Sequence, residues 1–261
     1  MKIFVLILNY NGKDIVLKCL NSLRRIRTPF QIVVLDNGST DGSVSSIKRH
    51  FSNVTIIENK RNLGFAAGMN LGIKYALQRE ASHVLLLNPD TESENDFILP
   101  LVKNGADIVA PVIKFMRNGR TVFDLGGYVN FWIGRTQHLE VNNKESIRPY
   151  SPDYVSGACM LIRREVFKEI GFFDQRFFLY FEDTDFCLRA KGSGFAVAVE
   201  PRSVIVHNLK EGKMKPIFQN LHLLRSNLIF INKHVPIWRR PVAWLYWILL
   251  SAKVLVDYLP V

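Results

Sequence analysis

The chain has 261 residues, enough for one large α/β domain with a sizeable core, and its 48% hydrophobic content excludes intrinsic disorder. The formal charge of +11 leaves room for an anionic partner, nucleic acid or lipid. The three cysteines, Cys19, Cys159 and Cys187, lie far apart. They offer neither metal-ligand spacing nor a disulfide framework, which points to a reducing cytoplasm.

The first apolar run, Ile3 to Leu8, is too short for a secretory signal and predicts a first strand. Gly12 and Asp14 open a helix to about Arg25, with Val16, Leu17, Leu20 and Leu23 on its inner face. Gln31 to Leu35 is a second strand, ending in the turn and capping residues 36–43, and Val54 to Ile57 a third. Residues 61–70 lead into a helix to about Arg79, and His83 to Leu87 is a fourth strand. The strand–helix alternation predicts a doubly wound, mostly parallel sheet with helices on both faces over the first ~90 residues.

Val84-Leu85-Leu86-Leu87-Asn88-Pro89-Asp90 is the organising stretch. Four apolar residues read as a strand buried on both faces, and Pro89 ends it because it cannot donate to a ladder. Asn88 and Asp90 then lie past a strand's carboxyl end, where open α/β sheets bind ligands. A carboxylate there suits a hard divalent cation carrying phosphate oxygens. The loops holding Asn9, Tyr10, Asp36, Asn37 and Asp90 open on the same sheet edge, and a nucleotide is the natural occupant. Neither a G-x-G-x-x-G after the first strand nor a G-x-x-x-x-G-K-[ST] is present, which disfavours a dinucleotide cofactor or a P-loop enzyme.

Farther on, a helix over 95–103, a strand over 107–114 and a hairpin turn at Asn118-Gly119-Arg120 are expected. Residues 126–151 lack a clear period and read as a mobile loop near the cleft. Val155 to Ile162 predicts a strand and Arg163 to Ile170 a short helix stopped by Gly171. Phe172, Phe173, Phe177, Phe178, Tyr180 and Phe181 form an aromatic wall suited to a sugar or lipid-linked acceptor. It leads to Glu182, Asp183 and Asp185 in the first turn of another helix, where acids also serve as caps. Phe195 to Val199 and Ser203 to Val206 read as two short strands, followed by His207.

Beyond residue 208 the chain is basic, with Lys210, Lys213, Lys215, Arg225, Lys233, Arg239 and Arg240 against Glu211 alone up to Arg240. A helix over 214–234 is expected. Pro236 breaks it ahead of an uncharged run over 242–252 that contains Trp244, Tyr246 and Trp247. That run is short of the ~20 apolar residues that span a bilayer. Basic residues before a Trp-rich apolar helix suit the membrane interface, through 236–258, better than nucleic acid; the rival is a helix docked on protein.

Several of these motifs, in this order over about residues 3 to 207, resemble family 2 glycosyltransferases of the GT-A fold, especially the rhamnosyltransferase-like branch. They are Asn9-Tyr10-Asn11, residues 36–41, Asn62-Leu63-Gly64-Phe65 with Asn70, Asn88-Pro89-Asp90, Gly157-Ala158, and residues 181–189. The resemblance implies a Rossmann-like sheet with C-terminal helices. Residues 1–100 would form the nucleotide-sugar half, 101–207 the acceptor and catalytic half of the same domain, and 208–261 a helical membrane-interface segment. It implies donor binding by Asn9, Tyr10, Asp36, Asn37, Asn62, Gly64 and Asn88, with Asp36 on the base. A Mg²⁺ or Mn²⁺ would sit on Asp90 and His207, although Asn88 stands where the family's D-x-D motif has its first acid. Asp183 would be the base, with Gly157, Glu182 and Asp185 toward the acceptor. The implied reaction is inverting transfer from a nucleoside-diphosphate sugar, dTDP-L-rhamnose for this branch, to a saccharide or lipid-linked acceptor at the inner face of the cell membrane. Rival readings are a nucleotidyltransferase, whose basic glycine-rich first loop is missing at residues 8–12, and a silent sugar-nucleotide-binding module, against which Asp90 and Asp183 both argue.

Overall fold

A computed structural model describes residues 1–147, 151–208 and 216–258. Its strands and helices follow in the order β1 (Ile3–Asn9), α1 (Lys13–Leu23), β2 (Gln31–Asp36), α2 (Ser43–His50), β3 (Val54–Glu58), α3 (Gly64–Gln78), β4 (His83–Leu87), β5 (Thr91–Glu92) and α4 (Ile98–Asn104). Then come β6 (Ile108–Arg117), β7 (Arg120–Asn130), β8 (Arg135–Val141), β9 (Cys159–Arg163), α5 (Arg164–Ile170), α6 (Glu182–Gly192), β10 (Val197–His207), α7 (Ile217–His234) and α8 (Arg240–Val256).

One sheet runs through both halves of the chain in the order β3-β2-β1-β4-β9-β6-β10-β5, with β7 and β8 continuing from β6. The first four strands are parallel, as the alternation predicts. The sheet becomes mixed where β9 joins β4 antiparallel, Leu87 opposite Cys159. Strand alternation divides the core. Phe4, Leu6, Val84 and Leu86 pack with Met69 and Ile73 of α3 on one face. Ile3, Val5, Leu85 and Leu87 pack with Val16 and Leu20 of α1 and Leu101 of α4 on the other.

Three stretches differ from the sequence expectation. Residues 126–151 are largely a hairpin rather than a mobile loop: β7 and β8 pair antiparallel, with a register shift between Asp124 and Gly127. The two adjacent glycines and polar, exposed positions hide the period-2 pattern; residues 148–150 lie outside the described residues. The strand expected from Val155 begins only at Cys159. The backbone before it is diverted into the site, Gly157 N donating to Asp183 and Ala158 O accepting from Asn88 N. The two short strands near the end are one, β10, with an irregularity between Glu200 and Val204. Pro201 lies inside it and has no N–H to give the ladder.

Candidate active site

The loops at the carboxyl ends of β1, β2 and β4 are tied together by side-chain amides. Asn9 is buried; its Nδ2 donates to Asp36 Oδ1 (3.0 Å) and Ser39 Oγ (3.2 Å). Asp36 Oδ2 accepts from Ser39 N at 2.8 Å, so this buried acid orders its own loop. Asn37 Nδ2 donates to Asn62 Oδ1 (3.2 Å) and Gly64 O (3.1 Å), while its Oδ1 accepts from Asn59 Nδ2 (2.9 Å). Asn62 Oδ1 also accepts from Gly64 N at 2.9 Å. Gly64 has φ +81°, and a Cβ there would lie 2.5 Å from Phe178 O. Gly64 is therefore required for the close packing of the 172–181 segment on α3, where Phe65 N donates to Phe178 O at 2.7 Å. Asn70 fastens the same segment by bonding both the N–H and the carbonyl of Phe173. Tyr10 stays exposed at the rim.

Past β4, Asn88 O accepts from Thr91 N and Thr91 Oγ1, closing a tight turn that presents Asp90. Residues 91–92 pair with the end of β10, which sets His207 opposite Thr91 and brings its Nε2 to 3.1 Å from Asp90 Oδ1. Thus the two sequence-predicted metal ligands, 117 positions apart, meet at one sheet edge. A carboxylate and an imidazole form a donor set compatible with Mn²⁺. No group of three His, Cys, Asp or Glu that could hold a metal occurs among the described residues. Asp90 and His207 are the two residues that would hold such a cation. Burial pushes the thiol of the nearby Cys19 up to about 12.

Asp183 lies across the same edge. Its Oδ2 accepts from Gly157 N (2.9 Å) and its Oδ1 from Thr184 N (2.7 Å). Burial raises the Asp183 carboxyl above the usual range, opposed by those hydrogen bonds and by the charge of His138. The side chain still keeps part of its surface open. Glu182 is buried and pushed well up by burial and by Asp183 beside it. Its Oε2 meets no hydrogen-bond partner among the described residues. The two residues before α6, Tyr180 and Phe181, both have positive φ (69° and 67°). Non-glycine residues in that region carry strain that the surrounding packing must hold, and here it aims the start of α6 at the cleft.

Two expectations need correction. Asp185 does not face an acceptor. It has no exposed side-chain surface, and its oxygens are taken by Arg189 Nε (2.9 Å), Lys233 Nζ (2.6 Å) and His234 Nε2 (2.7 Å). Half of the aromatic wall is core: Phe173, Phe177 and Phe181 are buried, whereas Phe172, Phe178 and Tyr180 keep some surface. Sequence reasoning also missed His138, which sits in the 126–151 stretch expected to be a loop, and Asp124, which precedes that stretch on β7; for His138 the alternation Arg135-Thr-Gln-His-Leu-Glu-Val141 was the available signal.

Residues 4–171 match the model of glycosyl transferase family 2. The chain belongs to that family. It is 26% identical over 248 residues to an N-acetylglucosaminyl-diphospho-decaprenol L-rhamnosyltransferase of Mycobacterium tuberculosis, covering 83% of this chain and 79% of the relative. It is 24% identical to the dTDP-rhamnosyl transferase RfbF of Shigella flexneri, covering 90% of this chain and 82% of that one. Among solved structures, GalNAc-T7 with UDP, GalNAc and Mn²⁺ superposes with a TM-score of 0.70 at 17% identity, over 89% of this chain and 48% of that one. TarS of S. aureus with UDP-GlcNAc gives 0.60 at 17% identity, over 94% and 71%. The fold is GT-A, and the protein is a family 2 glycosyltransferase.

Proposed function

We propose that this glycosyltransferase moves an L-rhamnosyl group from dTDP-L-rhamnose, with inversion and with a divalent cation, onto a saccharide carried on a lipid at the cytoplasmic face of the membrane, in cell-surface polysaccharide assembly. The observation that carries the reading is a single hydrogen bond. Asn88 N, two residues before Asp90, donates to Ala158 O at 2.8 Å, one residue after the Gly157 N–H that holds Asp183. That bond supports a reading in which a departing diphosphate and a base would be neighbours on one sheet edge. The rhamnosyl donor rests on the names of the relatives above.

When bound by Asp90 and His207, the cation supplies Lewis-acid neutralisation of the leaving diphosphate. The Asn9–Asp36 and Asn37–Asn62 clusters hold the nucleotide end, with Tyr10 at the rim. Asp183 takes the proton from the acceptor hydroxyl as it attacks. One base with no second nucleophile gives a single displacement and inversion, through an oxocarbenium-like transition state. A carboxylate raised by burial and hydrogen-bonded at this position supports an acid–base role over a nucleotidyltransferase or a silent binding module. Asp183→Asn keeps size and hydrogen bonding but cannot accept a proton. Turnover of dTDP-L-rhamnose, read as dTDP release, should fall by about 10²-fold or more, with donor affinity nearly unchanged. Near-normal turnover would defeat the reading.

Membrane attachment belongs to the same proposal. No described helix is long and apolar enough to cross a membrane. α8 packs one side on α7, with Ala243 buried and Trp247 Nε1 donating to Leu224 O (2.8 Å). The other side exposes Leu245, Ile248 and Leu249, with Ile237 and Trp238 ahead of it. Protein docking and an apolar interface are thus two faces of one helix, flanked by Arg239 and Arg240.

A further inference from the structure

The β7–β8 hairpin holds polar groups that the chemistry above leaves unused. Asp124 is only 7% exposed. Its Oδ1 accepts from Gly126 N, and its Oδ2 is 2.9 Å from His138 Nδ1. Backbone contacts carry this pair to the base. His138 lies opposite Gly127 in the β7–β8 ladder, and Gly127 N donates to Tyr154 O at 3.0 Å. The His138 ring packs edge-on against Tyr154, with centroids 5.5 Å apart. Three residues on, Gly157 N donates to Asp183. The glycines permit this closure: a Cβ on Gly126 would lie 2.5 Å from Tyr154 O, and one on Gly127 2.1 Å from Gln137 O.

We infer that Asp124 and His138 form a charge-setting pair for Asp183, in which Asp124 holds the imidazole protonated and that cation keeps the Asp183 carboxylate ionised and ready to accept a proton. The inference rests on Asp183 being the base, and His138 is then a positioning residue. The surroundings support it. Asp183 is faced by the N–H groups of Gly157 and Thr184, by Thr184 Oγ1, and by two groups that burial pushes up: Glu182, well above its ordinary range, and Cys187, up to about 12. His138 supplies the positive charge. Burial pulls His138 down, but the hydrogen bond and charge of Asp124, with Asp183 and Glu140 behind it, outweigh burial and hold it above its ordinary range. Burial has already raised Asp183. Losing a nearby cation therefore raises it further and leaves a smaller ionised fraction near neutrality.

The test is the carbon-13 titration of Asp carboxyls in the full-length protein, with the Asp183 signal assigned by its loss in Asp183→Asn. In His138→Gln the Asp183 midpoint should rise by roughly half a pH unit or more. Asp124→Asn, which leaves the imidazole in place, should move it the same way by less. The acidic limb of the pH–rate profile for dTDP release from dTDP-L-rhamnose should move with the midpoint, whereas a merely structural role would lower the rate at every pH alike. If His138→Gln does not fold, Asp124→Asn is decisive. An unmoved midpoint in a folded variant overturns the pair while Asp183 stays the base. Turnover that survives Asp183→Asn overturns the base reading instead, and the pair with it.

Discussion

Asp185→Ala separates a structural acid from a substrate-binding one. The wild-type carboxylate, with no exposed surface, joins Arg189 of its own helix to Lys233 and His234 at the end of α7. Removing one partner of a buried ion pair costs about 3–5 kcal/mol, because the charge left behind is unpaired. Here two partners have other bonds. Lys233 also reaches Asp174 at 2.8 Å, and Arg189 donates to the carbonyls of Ile170 and Phe172. The loss should therefore sit at the low end, about 3 kcal/mol, read from urea unfolding at pH 7 as a fall in midpoint at unchanged slope. The pH sign is also set. Burial pushes Asp185 up, but His234, Lys233 and Arg189 outweigh it and hold the carboxyl below its ordinary range. Its contribution is then complete above about pH 4, the unfolded value, and lost as pH falls through the lower folded value. The difference between wild type and variant should shrink on acidification below that point. A loss under about 1 kcal/mol at pH 7, or a selective rise in acceptor KM with stability intact, would refute this account and return Asp185 to the acceptor site.

Asp90→Ala should abolish metal-stimulated dTDP release, by at least about 10²-fold given the several kcal/mol a Lewis acid supplies. It should leave the unfolding midpoint nearly unchanged, because the side chain is partly exposed in a loop; unchanged metal stimulation would remove Asp90 from the site. Gly64→Ala should destabilise by about 1–3 kcal/mol, since φ is +81° and the new Cβ would strike Phe178 O. A neutral effect in urea unfolding would show that the segment does not depend on this close approach. Leu245→Glu with Leu249→Glu, at positions 60% and 62% exposed, should release the protein from anionic vesicles at low salt without lowering its unfolding midpoint. Wild-type protein that ignores such vesicles would dismiss the membrane proposal.

Local patterns made the parallel half of the sheet legible. Continuous apolar runs such as Val84–Leu87 can only be buried on both faces, and Pro89 ends the strand by chemistry that needs no context. The same runs put Asn9, Asp36 and Asp90 at carboxyl ends of parallel strands, so their shared edge followed from topology. Their donor roles were another matter. The structure hydrogen-bonds Asn9 to Asp36 and Asn37 to Asn62, and packs Gly64 closely on Phe178, through contacts between segments that no local pattern encodes.

Tertiary structure alone decided which acid does what in the first turn of α6. Glu182, Asp183 and Asp185 are near equivalents in sequence, but successive helical positions point about 100° apart. One is buried with an oxygen that meets no partner among the described residues, one meets the Gly157 N–H on the cleft side, and one meets the cations of α7 in the interior. Likewise, Asp90 and His207 become a pair only because a two-residue strand after β4 ladders onto the end of β10. His138 reaches Tyr154 only because two adjacent glycines let a hairpin close there. Sequence determined the parallel half of the sheet, its edge and the inventory of chemical groups, because those depend on periodicity and residue type. The environment of each group depends on what the fold packs against it, and that was decided by contacts between residues far apart in the chain.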